Sequence, residues 1–335
     1  MKNMIHNIFR KRYSQKHIMV ISFNNLGDLM IDTIAFRNVF LNYPDHKIDL
    51  FVRRSQGKDF MKLYTEFNEV YILPGEHSKF RTYMTFLNII RKNNYIFSIQ
   101  TTRPFEFIKK TYIPYMCGIK KRYGIIQTDM YKLYKSAFSR AYEVSNKTSR
   151  LNEALSVIKL SGMEIRNIDF YIPFNVKKKK RENGNRKVII IHPGADTSEK
   201  RWSENKYRQL IDKIDTKKYE VIITGTNPER ETIQNICREF NNVIIYQDLK
   251  IIDLFSLIFS SDYLISCDTG PFIFALALGI KFIVIFKSTP AQYVLGNLRI
   301  KQKHAILHAE GNTSNKKILE AEDVYNQLIK LEIED

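Results

Sequence analysis

Short apolar runs recur along the chain without alternating polar residues, separated by longer stretches with helical spacing. Runs such as Val188-Ile-Ile-Ile191 and Phe282-Ile-Val-Ile-Phe286 leave no polar face. That is the pattern of strands buried on both sides of a parallel sheet. Strands are predicted over 18–23, 48–52, 69–73, 96–100, 188–192, 220–224, 243–246, 262–266 and 282–286. Helices are predicted between them over 29–42, 79–92, 151–161, 203–214, 228–240, 251–260 and 271–278. Alternating β and α elements specify an α/β fold of mainly parallel sheets, with ligand sites at the carboxyl ends of the strands.

The alternation breaks once. Residues 177–187, Lys-Lys-Lys-Lys-Arg-Glu-Asn-Gly-Asn-Arg-Lys, have no periodicity and a net charge of +6, and a fresh buried strand follows at Val188. The break divides 335 residues into two Rossmann-like halves, 1–176 and 188–335, joined by a basic linker over 177–187. A lysine run also suits nucleic-acid binding, although a solvated linker is its commoner use. Apolar residues at 44% and aromatics at 13% supply two cores and exclude wholesale disorder.

Charge adds a second asymmetry. Residues 1–150 carry 26 Lys and Arg against 11 Asp and Glu, a net of +15, whereas 151–335 carry only +3. The first half is therefore expected to meet an anionic partner: nucleic acid, a membrane or an acidic glycolipid. Candidate contacts are Lys2, Arg10, Lys11 and Arg12 near the start, Arg53 after the second strand, Arg103 after the fourth, and Lys120, Lys121 and Arg122 beyond, with Tyr and Phe interleaved over 95–134. Cys117, Cys237 and Cys267 have neither metal-ligand nor disulfide-framework spacing. The first residues lack a secretory core, and the longest apolar stretch, 272–286, is interrupted by Lys281 and too short to span a bilayer. A cytoplasmic protein, peripheral at the inner face of the membrane, is the expectation.

Several chemistries have no motif. None of the 13 glycines forms a G-x-G pair, and no P-loop, Asp-x-Asp or H-E-x-x-H is present. Three constellations remain. In Ile18-Met-Val-Ile-Ser-Phe-Asn-Asn-Leu-Gly27-Asp28, a strand runs to a turn at Gly27 and a helix opening at Asp28, which places a carboxylate at the strand end. In Ile191-His-Pro-Gly-Ala-Asp-Thr-Ser-Glu-Lys200-Arg201-Trp202-Ser203, two cations precede a helix capped by Ser203, a setting for a diphosphate. In Ser266-Cys-Asp268-Thr269-Gly270-Pro271, a tight turn leads into a helix with Pro in its first turn and amides directed outward. Each also suits ordinary capping or a solvated loop.

Their order is more informative than any one of them. A Gly-Asp turn near the start, a Lys-Arg-Trp loop, a Thr224-Gly225 turn and Asp-Thr-Gly-Pro about 65 residues after Trp202 resemble glycosyltransferase family 9, which contains the lipopolysaccharide heptosyltransferases. The resemblance implies a GT-B fold, two Rossmann-like domains facing a central crevice, the second holding a nucleotide-diphosphate sugar, its C-terminal helix packing back on the first. It implies inverting, metal-independent sugar transfer, of heptose from ADP-heptose to a lipopolysaccharide or lipooligosaccharide inner-core acceptor, with no cofactor, no metal and no specific nucleic acid. By the same likeness Asp28 matches the general base, Lys200 with Arg201 the cations on the donor diphosphate, and Asp268, Thr269 and Gly270 the donor loop. Thr289 matches a Thr after the last core strand, and Asn227 or Glu229 the ribose contact; Arg53 and Arg103 fall on the acceptor side. Ile273 stands where the family usually has His, and Lys287 replaces a small turn residue. The alternatives are a GT-B transferase with another nucleotide sugar or a protein or capsule acceptor, and a non-catalytic binder of anionic lipid or nucleic acid.

Overall fold

The structure, a computed structural model, describes residues 16–73, 80–104, 108–145, 147–178, 186–309 and 318–333. Lys2, Arg10, Lys11 and Arg12 lie outside these residues, as does 179–185 of the basic run. The chain forms two compact units, one of Met1–Phe174 with Leu295–Leu298, the other of Asn175–Val294 with Arg299–Asp335. Among the described residues no helix is long and apolar enough to cross a membrane.

The first unit is built on six parallel strands: β1 His17–Ser22, β2 Lys47–Val52, β3 Phe67–Ile72, β4 Tyr95–Gln100, β5 Arg122–Gln127 and β6 Arg140–Val144. Their order is β3-β2-β1-β4-β5-β6, so the chain reverses its direction of winding between the central strands β1 and β4. Apolar side chains on both faces drive this arrangement, and Ile18, Met19, Val20 and Ile21 are all fully buried. The pattern did not predict β5 and β6. Only Ile125 and Ile126 mark β5 as apolar, and β6 is an exposed edge strand. Gly124 is required in β5 because a Cβ there would lie 2.1 Å from the Phe138 ring.

The first helix, Leu26–Asn42, opens three residues earlier than its apolar spacing predicts. Asn25 is the extended N-cap, and the Leu29 amide donates to Asn25 O at 2.8 Å. Gly27 therefore lies inside the first turn, and Asp28 is its third residue instead of the helix opener. The reason is burial: regular burial begins only at Leu29, so the half-exposed first turn carries no periodic signal.

The second unit repeats the scheme with β7 Lys187–His192, β8 Tyr219–Gly225, β9 Val243–Gln247, β10 Tyr263–Cys267, β11 Lys281–Phe286 and β12 His304–His308. All neighbours are parallel, in the order β12-β11-β10-β7-β8-β9, so here the reversal falls between β7 and β10. The edge strand β12 was not predicted, since its ends are polar and only Ala305 is buried. The helix Gly270–Leu278 follows β10 and stops at Gly279, whose φ of 72° is the left-handed conformation that glycine adopts at helix ends. The C-terminal helix Ala321–Ile333 buries Val324, Leu328 and Leu331 in the core that also holds Tyr207, Leu210 and Ile211.

Candidate functional site

In open α/β sheets ligands bind beyond the strand ends where the winding reverses. In the first unit that place is beyond β1 and β4. Asp28 and Asp32 lie four residues apart on one face of the helix Leu26–Asn42. Asp28 keeps 44% of its side chain exposed, whereas Asp32 is fully buried. Near the helix N-terminus, the partial positive charge of the macrodipole favours the Asp28 carboxylate.

Asp32 is tied to both central strands. Its Oδ2 accepts from Ser22 Oγ at 2.8 Å, Asn24 Nδ2 at 2.7 Å and Thr101 Oγ1 at 2.8 Å, and its Oδ1 accepts from Arg150 Nη2 at 2.9 Å. Burial pushes its carboxyl up from 3.8 to about 6, against the opposing pull of Arg150 and these hydrogen bonds. Arg150 is the first residue of the helix Arg150–Leu160, whose Ser149 cap accepts from the Asn152 amide. Its Nη1 donates to Glu153 Oε2 at 2.8 Å, and its Nε stands 3.7 Å from Asp28 Oδ1. Arg103, expected to meet the acceptor, instead reaches inward: its Nε donates to Glu153 Oε1 at 2.9 Å and its Nη2 to Ser145 O at 3.0 Å. Arg53 follows β2 and is half-buried.

In the second unit the corresponding place is beyond β7 and β10. Lys200 Nζ donates to Asp268 Oδ2 at 2.9 Å, so adjacency of the two strands joins residues 68 positions apart. Arg201 turns back on its own loop, donating to Ala195 O at 3.1 and 3.3 Å. Trp202 is 5% exposed and packs edge-on to Tyr207, anchoring the loop in the core. Thr269 is the N-cap of Gly270–Leu278, yet its hydroxyl faces Ser266 Oγ at 3.2 Å and does not cap the helix. The first-turn amides around Gly270 thus receive no side-chain cap from Thr269, which suits an anion. Ser203 is the N-cap of Glu204–Lys213 by its backbone, without a side-chain capping bond.

Glu229 is committed to the protein. Its Oε2 accepts from the Thr226 amide at 2.8 Å and Thr226 Oγ1 at 2.9 Å, closing a capping box. A Cβ on Gly194 would lie 1.8 Å from Glu229 Oε1, so only glycine lets the two loops approach this closely. His192 Nδ1 pairs with Thr224 Oγ1 at 3.0 Å, and burial lowers its pKa against the pull of Glu229. The other ribose candidate, Asn227, donates its amide to Asp248 Oδ1 at 2.8 Å and accepts from Arg230 through its side chain. Thr289 is half-buried after β11, and Ile273 is 3% exposed inside the helix Gly270–Leu278.

The second unit gathers Lys200, Asp268, Thr269 and Gly270 at one strand boundary. The first gathers Asp28 with three residues the sequence did not single out: Asp32, Arg150 and Glu153. A signal for Asp32 existed, because an aspartate amid Leu29-Met-Ile-Asp-Thr-Ile-Ala needs a buried partner. Nothing local pointed to that partner 118 residues away.

Residues 90–326 match the profile of glycosyltransferase family 9 (heptosyltransferase). Lipopolysaccharide heptosyltransferase 3 of Escherichia coli K12 is 24% identical over 216 residues, 59% of this chain and 60% of that protein, so the match spans about three fifths of the relative's length. A family 9 glycosyl transferase from Veillonella parvula has a similar fold, with a TM-score of 0.76 and 14% identity over 96% of this chain and 99% of that one. Escherichia coli ADP-heptose LPS heptosyltransferase II gives 0.72 and 16% over 95% and 99%. An Escherichia coli heptosyltransferase solved with ADP gives 0.69 and 13% over 94% and 99%.

Proposed function

The chain belongs to glycosyltransferase family 9, and from that premise we propose that it moves a sugar, heptose from ADP-heptose, to a lipopolysaccharide or lipooligosaccharide inner-core acceptor, with inversion and without a metal ion. The observation that carries this reading is the pairing of chemistries at the two strand reversals. A half-exposed carboxylate, Asp28, stands at one, and a lysine beside a helix N-terminus, Lys200 with Thr269 and Gly270, stands at the other.

In the proposed mechanism Asp28 takes the proton of an acceptor hydroxyl as that oxygen attacks the anomeric carbon from the side opposite the diphosphate. The bond from that carbon to the diphosphate oxygen breaks, and its electron pair leaves with the nucleotide. A carboxylate is a weak base, so the rate rests on positioning and on stabilising the leaving group. Lys200 supplies a point charge to the departing diphosphate, and the amides at Thr269 and Gly270 supply fixed donors. These groups replace what a divalent cation does elsewhere, and Asp268 holds the lysine between turnovers. The ADP with which that Escherichia coli heptosyltransferase was solved supports an adenine nucleotide here. Ile273, an apolar residue where the family usually has histidine, favours testing other sugars on the same nucleotide.

A membrane-embedded acceptor brings the protein to an anionic surface, the inner face of the cytoplasmic membrane. In the first unit Tyr115, Tyr131 and Leu133 are exposed, among exposed Lys120, Lys121, Lys132 and Lys135. The Tyr112 hydroxyl donates to Leu133 O at 3.0 Å, and Arg122 lies 5.2 Å from the Tyr115 ring centre, so these residues form one patch. Aromatic rings edged by lysines suit a headgroup layer, and each Lys near such a surface contributes about 1 kcal/mol. The deciding experiment is a transfer assay with ADP-heptose and lipooligosaccharide lacking the transferred sugar, with and without chelator. Transfer of a heptose that survives chelator is expected; transfer only from a different nucleotide sugar, or a strict need for Mg²⁺ or Mn²⁺, would overturn the corresponding part.

A further inference from the structure

Arg150 is firmly fixed by the fold. Its Nη2 donates to Asp32 Oδ1 at 2.9 Å, its Nη1 to Glu153 Oε2 at 2.8 Å and to Thr101 O at 3.3 Å. Both anchoring carboxylates are fully buried, and Arg150 itself is 3% exposed. A planar guanidinium held by three acceptors has little freedom to rotate. The fold therefore sets the position of Nε, which lies 3.7 Å from Oδ1 of the half-exposed Asp28. Asp49, another fully buried carboxylate of this unit, offers a contrast: it accepts from Tyr95 and Asn68 and pairs with His17, with no arginine among these partners.

We propose that Arg150 is a positioning residue for Asp28, orienting its carboxylate toward the acceptor hydroxyl by charge and favouring the ionised form that receives the proton. The inference rests on the reading of Asp28 as the base. Charge balance supports it. Within this cluster Arg103 and Arg150 are matched by Asp32 and Glu153, two against two. When Asp28 accepts a proton and becomes neutral, both arginines keep a carboxylate partner, so its change of charge needs no rearrangement behind it. An opposite charge at this distance favours the ionised carboxylate. The carboxyl of Asp32, pushed up to about 6 by burial, is ionised above that pH and keeps the clamp closed.

The test is steady-state transfer by the full chain across pH, acceptor varied at saturating donor. Arg150→Gln is expected to lower kcat by about 10- to 100-fold, the scale of a misplaced base, with donor affinity unchanged. It should also move the acid limb of the kcat profile upward by about one pH unit, because the favouring charge is gone. Asp32→Asn should move the same limb downward, since Arg150 then acts on Asp28 without a competing anion. Arg150→Lys keeps the charge without the fixed fork and should restore the limb more than the rate. A merely structural role would lower the melting temperature and leave the acid limb in place in both variants, and that outcome overturns the inference. Should Arg150→Gln fail to fold, the Asp32→Asn and Arg150→Lys profiles decide alone, and an unmoved limb in both is equally fatal. Near wild-type turnover in Asp28→Asn would instead sink the base reading itself.

Discussion

Beyond β1 and β4 the first unit collects three carboxylates, Asp28, Asp32 and Glu153, around two arginines. Beyond β7 and β10 the second collects a lysine, one aspartate and a helix N-terminus at Thr269 and Gly270. The two sheets wind alike, and each reverses between its first and fourth strands. The same topology thus offers the same place twice, furnished with different side chains. One place suits taking a proton from a neutral hydroxyl, the other suits holding the charge of a diphosphate. Topology locates a site; charge and burial decide its chemistry.

The sharpest way to break this contrast is to remove the proton acceptor. Asp28→Asn is expected to lower turnover by about 100-fold or more, the scale of a positioned general base, while calorimetry shows nucleotide affinity intact. Near wild-type turnover would leave the first unit with no catalytic part.

A second test uses the buried half of the same cluster. The Asp32 carboxyl stands at about 6 in the folded protein against an ordinary 3.8. A raised folded value contributes stability that is complete below about pH 4 and is lost as pH rises through about 6. The shift corresponds to about 3 kcal/mol. Denaturant unfolding of the wild type against Asp32→Asn at pH 4 and pH 7 should therefore show the wild type losing ground as pH rises; parallel curves would contradict the burial argument.

On the other side of the comparison, Lys200→Ala should weaken binding of a nucleoside diphosphate by about 1.5–3 kcal/mol, the range of a charge-assisted hydrogen bond. Binding of the uncharged nucleoside should hardly change. Equal losses for both ligands would mean that the lysine acts through packing of its loop.

The smallest expected effect concerns the charge difference between the halves. Lys132→Glu should weaken binding to vesicles of anionic lipid by about 1 kcal/mol or somewhat more, and raising salt should narrow the difference. Donor affinity should stay the same. Binding to neutral vesicles that equals binding to anionic ones would remove the electrostatic part of the surface.

Much of this was legible in the residues. Val188–Ile191 and Phe282–Phe286 announce buried parallel strands because burial on both faces leaves no polar alternation. Asp268, Thr269 and Gly270 directly follow the end of β10, and Lys200 lies in the polar loop between β7 and the helix Glu204–Lys213, so an abrupt change of composition marks both places. The first turn of the helix Leu26–Asn42 was misplaced, and β5, β6 and β12 were missed, because half-exposed and edge segments carry little apolar signal.

By itself, then, the sequence determined the layered α/β class, most of its strands and helices and the uneven charge, and it marked the loops to which chemistry is assigned in the proposal. These are properties of neighbouring residues and of periods of two to four. Tertiary structure alone decided that Arg103 turns inward to Glu153, that Arg150 joins Asp32 to Asp28, and that Glu229 closes a capping box against Gly194. Those outcomes depend on which charges lose their water together, a matter of distance in space that separation along the chain does not reveal.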